Sequence, residues 1–208
     1  MRKFNARVAG IILLFSLSIF ISNAQYVYIP DSAFRNFLIS DGYAPAFNGD
    51  SLDTTNVLLD ITDTINCSGR TIQSLEGIQY FKNLSYLNCS VNYLTYLPVL
   101  SDSLKMLYCY KNELSSLPVL PSHLKHLYAD HNLLTVINDL PAGMQLLQCS
   151  NNLLTSLPNL PGSMTDLYCD SNRISDVSVI STSSLVTFTC AYNLLDSLPS
   201  LPASLLGF

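Results

Sequence analysis

The stretch Leu84-Ser85-Tyr86-Leu87-Asn88-Cys89-Ser90-Val91-Asn92-Tyr93-Leu94 decides the reading of this chain, because its frame returns at Leu104, Leu124, Met144, Met164 and Leu185. Position six is Cys89, Cys109, Ala129, Cys149, Cys169 and Cys190, so successive copies stand 20, 20, 20, 20 and 21 residues apart. Position nine is asparagine each time: Asn92, Asn112, Asn132, Asn152, Asn172 and Asn193. An irregular earlier copy, with Ile65, Cys67, Ile72 and Leu75, lies 22 residues before the Cys89 copy and has Arg70 at position nine. A unit this short cannot bury its own apolar face, so a fixed period implies stacked coils that depend on their neighbours for a core.

The pattern resembles the leucine-rich repeat family, whose signature is L-x-x-L-x-L-x-x-N/C-x-L. The resemblance covers residues 62–208, nearly seven copies, the last incomplete. The second halves of the units, such as Leu117-Pro118-Val119-Leu120-Pro121 and Leu157-Pro158-Asn159-Leu160-Pro161, are similar to the short bacterial subclass, in which an extended proline-rich return replaces a helix. Proline agrees with that, since it fixes φ and lacks the N–H that a helix or central strand would use. The implied fold is a leucine-rich repeat solenoid, with parallel strands on its concave face, short extended returns and a small helical N-terminal cap. In the family the repeated asparagines bond backbone groups of each bend and stack into a ladder, which assigns that role here to Asn92, Asn112, Asn132, Asn152, Asn172 and Asn193.

Outward from the repeats, residues 1–24 combine a basic opening (Arg2, Lys3, Arg7), an apolar run from Val8 to Ile21 and the small residues Ser22 and Ala24. That is the layout of a cleaved secretory signal, and the run is shorter than the ~20 residues of a membrane span. The mature chain is therefore expected to be secreted or held at the cell surface, without membrane insertion. Removing the signal takes three of the 10 basic residues and leaves seven against 15 acidic, a net charge of −8. Such a balance argues against nucleic acid, whose affinity rests on Lys and Arg neutralising phosphates.

Residues 25–61 lack the period and read as an N-terminal cap. Asp31 or Ser32 is placed to N-cap a short helix with Phe34, Phe37 and Leu38 on one face. The phrase Ile29-Pro30-Asp31-x-x-Phe34-Arg35 resembles caps of secreted leucine-rich repeat proteins of the Bacteroidetes type. The loop from Asp41 to Asn56, with Asn48-Gly49-Asp50 and Asp53, reads as a polar turn; it lacks the alternating oxygen ligands and closing Glu of a calcium loop. At the other end, the chain stops four residues into a new unit, Leu205-Leu206-Gly207-Phe208. An uncapped solenoid end points to self-association through that end, or to a fragment of a longer protein.

Within a unit, positions four and six face inward on the strand, and Leu94, Leu97, Leu100 and their equivalents fill the core. Six cysteines in a secreted chain invite a disulfide reading. All six, however, occupy the same inward position of successive coils. Neighbouring strands lie ~4.8 Å apart, too far for the ~3.8 Å between disulfide Cβ atoms. Free, buried and unreactive thiols are expected.

Positions three, five, seven and eight project from the concave face. Tyr86, Met106, Tyr108, Tyr110, His126, Tyr128, His131, Leu146 and Tyr168 are the candidate partner-binding residues, with Tyr86, Tyr108, Tyr110 and Tyr128 and, between them, Met106, His126 and Leu146 forming one amphipathic patch. Apolar patches rimmed by polar groups mark interaction sites, and Tyr is enriched at their energetic centres. Stacked tyrosines also stiffen a solenoid face without binding anything. The histidines His123, His126 and His131 crowd into one unit, but a structural zinc wants four converging ligands, so no metal and no cofactor is assigned. With no catalytic constellation, the expected function is a recognition module that binds a protein or glycan partner. The alternatives are the N-terminal recognition part of a larger surface protein or enzyme, and a purely structural surface protein. The sequons at Asn66, Asn83 and Asn88 matter only in a glycosylating host.

Overall fold

The computed structural model describes residues 25–207; the signal assigned to residues 1–24, and Phe208, lie outside the described residues. These residues form two sheets, one antiparallel with three strands and one parallel with seven. Among them no helix is long and apolar enough to cross a membrane.

The repeats make the parallel sheet. Strands β4 (Thr64–Asn66), β5 (Tyr86–Asn88), β6 (Met106–Tyr108), β7 (His126–Tyr128), β8 (Leu146–Gln148), β9 (Asp166–Tyr168) and β10 (Thr187–Thr189) lie side by side in chain order. Each pairs with the next in strict register, position three on three and five on five. The constant period is the cause, since it returns equivalent backbone groups to the same height. Gly207 continues the register with a parallel bridge to Thr187.

Strands β5 to β10 alternate half-exposed, buried, half-exposed, and β4 exposed, buried, exposed. The buried centre is Leu87, Leu107, Leu127, Leu147, Leu167 or Phe188, fully enclosed together with position six just beyond it, except that Cys190, after Phe188, is half-buried. Each such side chain is worth ~1.5–3 kcal/mol on burial, so every coil is stabilised through its neighbours. All six thiols are free. Cys89, Cys149 and Cys169 donate from Sγ to a carbonyl of the next coil at 3.1–3.4 Å.

The chain leaves each strand through a left-handed bend at position eight. Val91, Lys111, His131, Asn151, Ser171 and Tyr192 all have φ between 53° and 57°, a region that costs L-residues ~1–2 kcal/mol each. The bend persists because its N–H groups bond the next coil, Lys111 to Asp130 O at 2.9 Å and His131 to Ser150 O at 3.0 Å. The asparagine beside each bend holds it as well.

The return paths divide by proline content. Those with Pro98, Pro118, Pro121, Pro141, Pro158 and Pro161 run extended. The two without proline contain 3-10 turns, Ile78–Tyr80 and Ser178–Thr182, and these belong to the coils of 22 and 21 residues. A residue with an N–H can close such a turn and proline cannot, so the surplus residues are taken up where proline is missing.

The cap holds more than a helix. Asp31 caps α1 (Ser32–Leu38), its Oδ1 accepting from Phe34 N at 2.8 Å, and Phe34, Phe37 and Leu38 are buried. The segment from Asp41 to Asn56, read from the sequence as a polar turn, instead contains a β-hairpin. Strands β2 (Phe47–Asn48) and β3 (Ser51–Asp53) pair around Gly49-Asp50, and β1 (Tyr26–Tyr28) joins the other side of β3. Only Gly49, at φ 59°, and Asp50 form the turn itself. A second helix, α2 (Val57–Ile61), capped by Asn56, leads into β4. Arg70 stands at the position of the ladder asparagine, and its guanidinium lies over the Phe37 ring of α1, 5.5 Å from the centroid.

Candidate functional site

Each asparagine of the repeat ties two coils together. Asn132 Nδ2 donates to Cys109 O of the preceding coil at 3.0 Å and to Ala129 O and Asp130 O of its own at 3.1 and 3.2 Å; its Oδ1 accepts from Leu114 N at 3.0 Å. Asn112, Asn152 and Asn172 repeat this set. At the first coil Asn92 accepts from both Arg70 N and Ile72 N, each at 3.0 Å, and donates to Cys67 O. Asn193, at the last full coil, makes the same bonds but is only half-buried. The ladder holds the bends rigid, so side chains projecting from the sheet are fixed in position.

On the outer face of the sheet the tyrosines are brought together. Tyr108 and Tyr128, both at position five on adjacent strands, stack with centroids 4.2 Å apart and planes within 4°. Tyr86 leans diagonally on Tyr108 at 5.4 Å and 41°. Burial, and then the nearness of the other phenols, raises the pKa of Tyr86 and Tyr108 above the ordinary phenol value, so these side chains are neutral hydroxyl groups at physiological pH. Met106, His126 and Leu146 form the parallel position-three row, each half-exposed.

The other candidates stand apart from this centre. Tyr168 is separated from Tyr128 by Gln148 on β8. Tyr110 follows β6 at position seven and remains half-exposed. His131 sits at the exposed left-handed bend rather than on the strand, and the Nδ1 of His123 lies 2.9 Å from Asp102 O. Among the described residues no group of three or more His, Cys, Asp or Glu side chains is arranged to hold a metal.

Position seven holds a feature that sequence reasoning missed. Asp130, Ser150 and Asp170 do not simply project; they bond the next coil, while Ser90 Oγ donates to Asn88 Oδ1 of its own coil. Asp130 Oδ1 accepts from Ser150 N at 3.0 Å, Ser150 Oγ from Asp170 N at 3.1 Å, and Asp170 from Ala191 N and Thr189 Oγ1, both at 2.6 Å. The signal was present in the Ser90, Asp130, Ser150, Asp170 series, all short side chains able to reach a neighbouring backbone. Burial raises the Asp130 pKa, against the Ser150 N–H that lowers it. Also unnoticed were the position-two lysines, Lys105 and Lys125, exposed one residue before β6 and β7.

A second concavity lies at the last full coil, about 810 Å³, lined by Asp170, Cys190, Tyr192, Leu195 and Leu198 among others. Leu198 and Leu201 are 46% and 43% exposed, whereas their counterparts Leu97 and Leu100 are 6% exposed beneath the following coil.

The geometry is similar to that of several known proteins. A leucine-rich repeat domain of a Shigella effector superposes with a TM-score of 0.65 at 27% identity, over 81% of this chain and 76% of that one. YopM from Yersinia enterocolitica gives 0.58 at 29% identity, over 70% of this chain but 37% of its own length. Internalin C2 from Listeria monocytogenes gives 0.50 at 24% identity, over 86% and 92%, a likeness of fold alone. No protein-family model matches the sequence, and no curated protein sequence does. The fold is that of a leucine-rich repeat solenoid, shared with the leucine-rich repeat domain of the Shigella effector.

Proposed function

We propose that this chain is a secreted or cell-surface recognition module that binds a partner through the concave, sheet-bearing face, with no catalysis of its own. The observation that carries the reading is the Tyr86, Tyr108, Tyr128 cluster, held half-exposed on a sheet whose every bend is pinned by the asparagine ladder. Rigid aromatic side chains lose little conformational entropy on binding and dominate interface energetics. The neighbouring Met106, His126 and Leu146 extend the apolar area, and the bonded position-seven row forms a polar margin.

The test is binding to a panel of extracellular proteins and glycans by wild type, by the Tyr108→Ser/Tyr128→Ser variant and by a Val99→Ser/Val119→Ser control altered on the returns. Each tyrosine is expected to contribute ~2 kcal/mol or more, so the first variant should bind at least about a thousandfold more weakly while keeping its circular dichroism spectrum. The control should bind as wild type does. Undiminished binding by the tyrosine variant overturns the assignment.

A further inference from the structure

Resting on that recognition reading, the geometry points to the chemistry of the partner: we infer that the face over β5–β8 docks an acidic, carboxylate-bearing polypeptide segment. Three observations combine.

The first is the orientation of the aromatic rings. Tyr108 and Tyr128 are parallel at 4.2 Å and Tyr86 packs on Tyr108, so the central ring, Tyr108, has a neighbouring ring on each side and Tyr128 has one of its faces covered. What they offer a partner is ring edges and hydroxyl groups. Ring edges carry the positive part of the aromatic quadrupole, and phenol O–H groups donate hydrogen bonds. Both favour oxygen anions and carbonyls. A sugar ring that stacks on an aromatic face finds the central Tyr108 ring already covered.

The second is charge placement. The chain after Ala24 has seven Lys and Arg against 15 acids, yet Lys105, Lys111 and Lys125 and all three histidines lie between residues 105 and 131. Lys105 and Lys125 immediately precede β6 and β7, and Lys111 and His131 stand at the bends beyond them, all exposed. Among the described residues the one salt bridge is Arg35 with Asp50, so these lysines are unpaired cations at both ends of the tyrosine-bearing strands.

The third is that the acids on the same face are engaged. Asp130 and Asp170 accept backbone N–H groups of the next coil, and Asp166 accepts from Thr165 Oγ1 at 2.7 Å. Those donors occupy carboxylate oxygens of these acids, whereas the lysines have no salt-bridge partner among the described residues. The four strands span ~14 Å, the length of about four extended residues, which is a segment rather than a whole surface.

The experiment is a selection from a random dodecapeptide library displayed on phage, against the folded wild-type protein. Selected peptides should be enriched in Asp and Glu. Synthetic copies should bind about tenfold more weakly on raising salt from ~50 to ~500 mM, and about tenfold more weakly to K105E/K125E, whose substitutions lie on exposed side chains that no packing depends on. They should also lose affinity for Y108S/Y128S. Failure to select any peptide, selection of neutral or basic peptides, or indifference to K105E/K125E overturns the inference. Neutral peptides that still lose binding to Y108S/Y128S overturn it while leaving the recognition face in place. Peptides indifferent to both variants remove the inference and the face together. Heparin binding that depends on Lys105 and Tyr108, with no acidic peptide selected, overturns it in favour of a sulfated glycan.

Discussion

At the scale of single residues the asparagines carry the most. Asn132 is 6% exposed and makes three donor contacts and one acceptor contact within two coils. Asn132→Ala leaves the buried Leu114 N–H unpaired and takes one of two donors from each of the Cys109, Ala129 and Asp130 carbonyls, which should destabilise the protein by ~1–3 kcal/mol. Asn193→Ala should cost less, since its surroundings are half-open to water. Urea unfolding of the two variants checks the order, and equal losses would mean that burial is not what gives the ladder its strength. The ladder was legible in the sequence because one residue type recurs at one position. The left-handed bend beside it was not: Val91, Lys111, His131, Asn151, Ser171 and Tyr192 share no chemistry, and bonds between coils impose their common φ. Position seven misled for a related reason, since Asp130 and Asp170 are polar enough to be read as solvent-facing while their oxygens bind a neighbouring backbone.

At the scale of elements, the seam between cap and solenoid turns on Asp31. Its Oδ1 caps α1, and its Oδ2 accepts from Gln73 N at 2.6 Å and Ser74 N at 3.0 Å in the first coil. Asp31→Ala removes a helix cap and a docking contact at once, for a loss of ~2 kcal/mol. Hydrogen exchange should then quicken in α1 and in the backbone around Ser74 but not in β8; a uniform change along the chain would contradict a local seam. The helix itself was readable from its cap residue and the Phe34, Phe37, Leu38 spacing. The three-stranded sheet was not, because strands of two and three residues are too short to show a period. The return paths fall between these cases: proline marked the extended ones, and its absence from the 21- and 22-residue coils became meaningful once the 3-10 turns were placed there.

At the scale of the whole molecule, one repeated pattern produces both the core and the outward face of the sheet. The core column of thiols gives the molecule a signature in alkaline solution. Burial pushes Cys67 and Cys109 up to about 12 from an ordinary 9.0, and Cys89 and Cys149 are raised for the same reason. The unfolded chain releases these protons first, so this contribution to stability is complete below pH 9 and declines as pH rises from there toward about 12. Unfolding free energy measured across that range should fall, and Ellman's reagent should label half-buried Cys190 of the native protein ahead of the rest. Rapid native labelling of Cys109 would contradict the packing. The outward face was legible in its position-three and position-five residues, because strand alternation dictates which side chains emerge. Its ring stacking and its unpaired lysines belong to relations between coils, which no single copy of the repeat displays. Hydroxyl-radical footprinting of side chains, with and without the tightest-binding partner from the panel, tests the recognition face most directly. Protection of Tyr86, Met106, Tyr108 and Tyr128 on binding, with Tyr93, Tyr96 and Tyr192 unchanged, is the predicted result. Protection confined to Tyr93, Tyr96 or Tyr192 would contradict it.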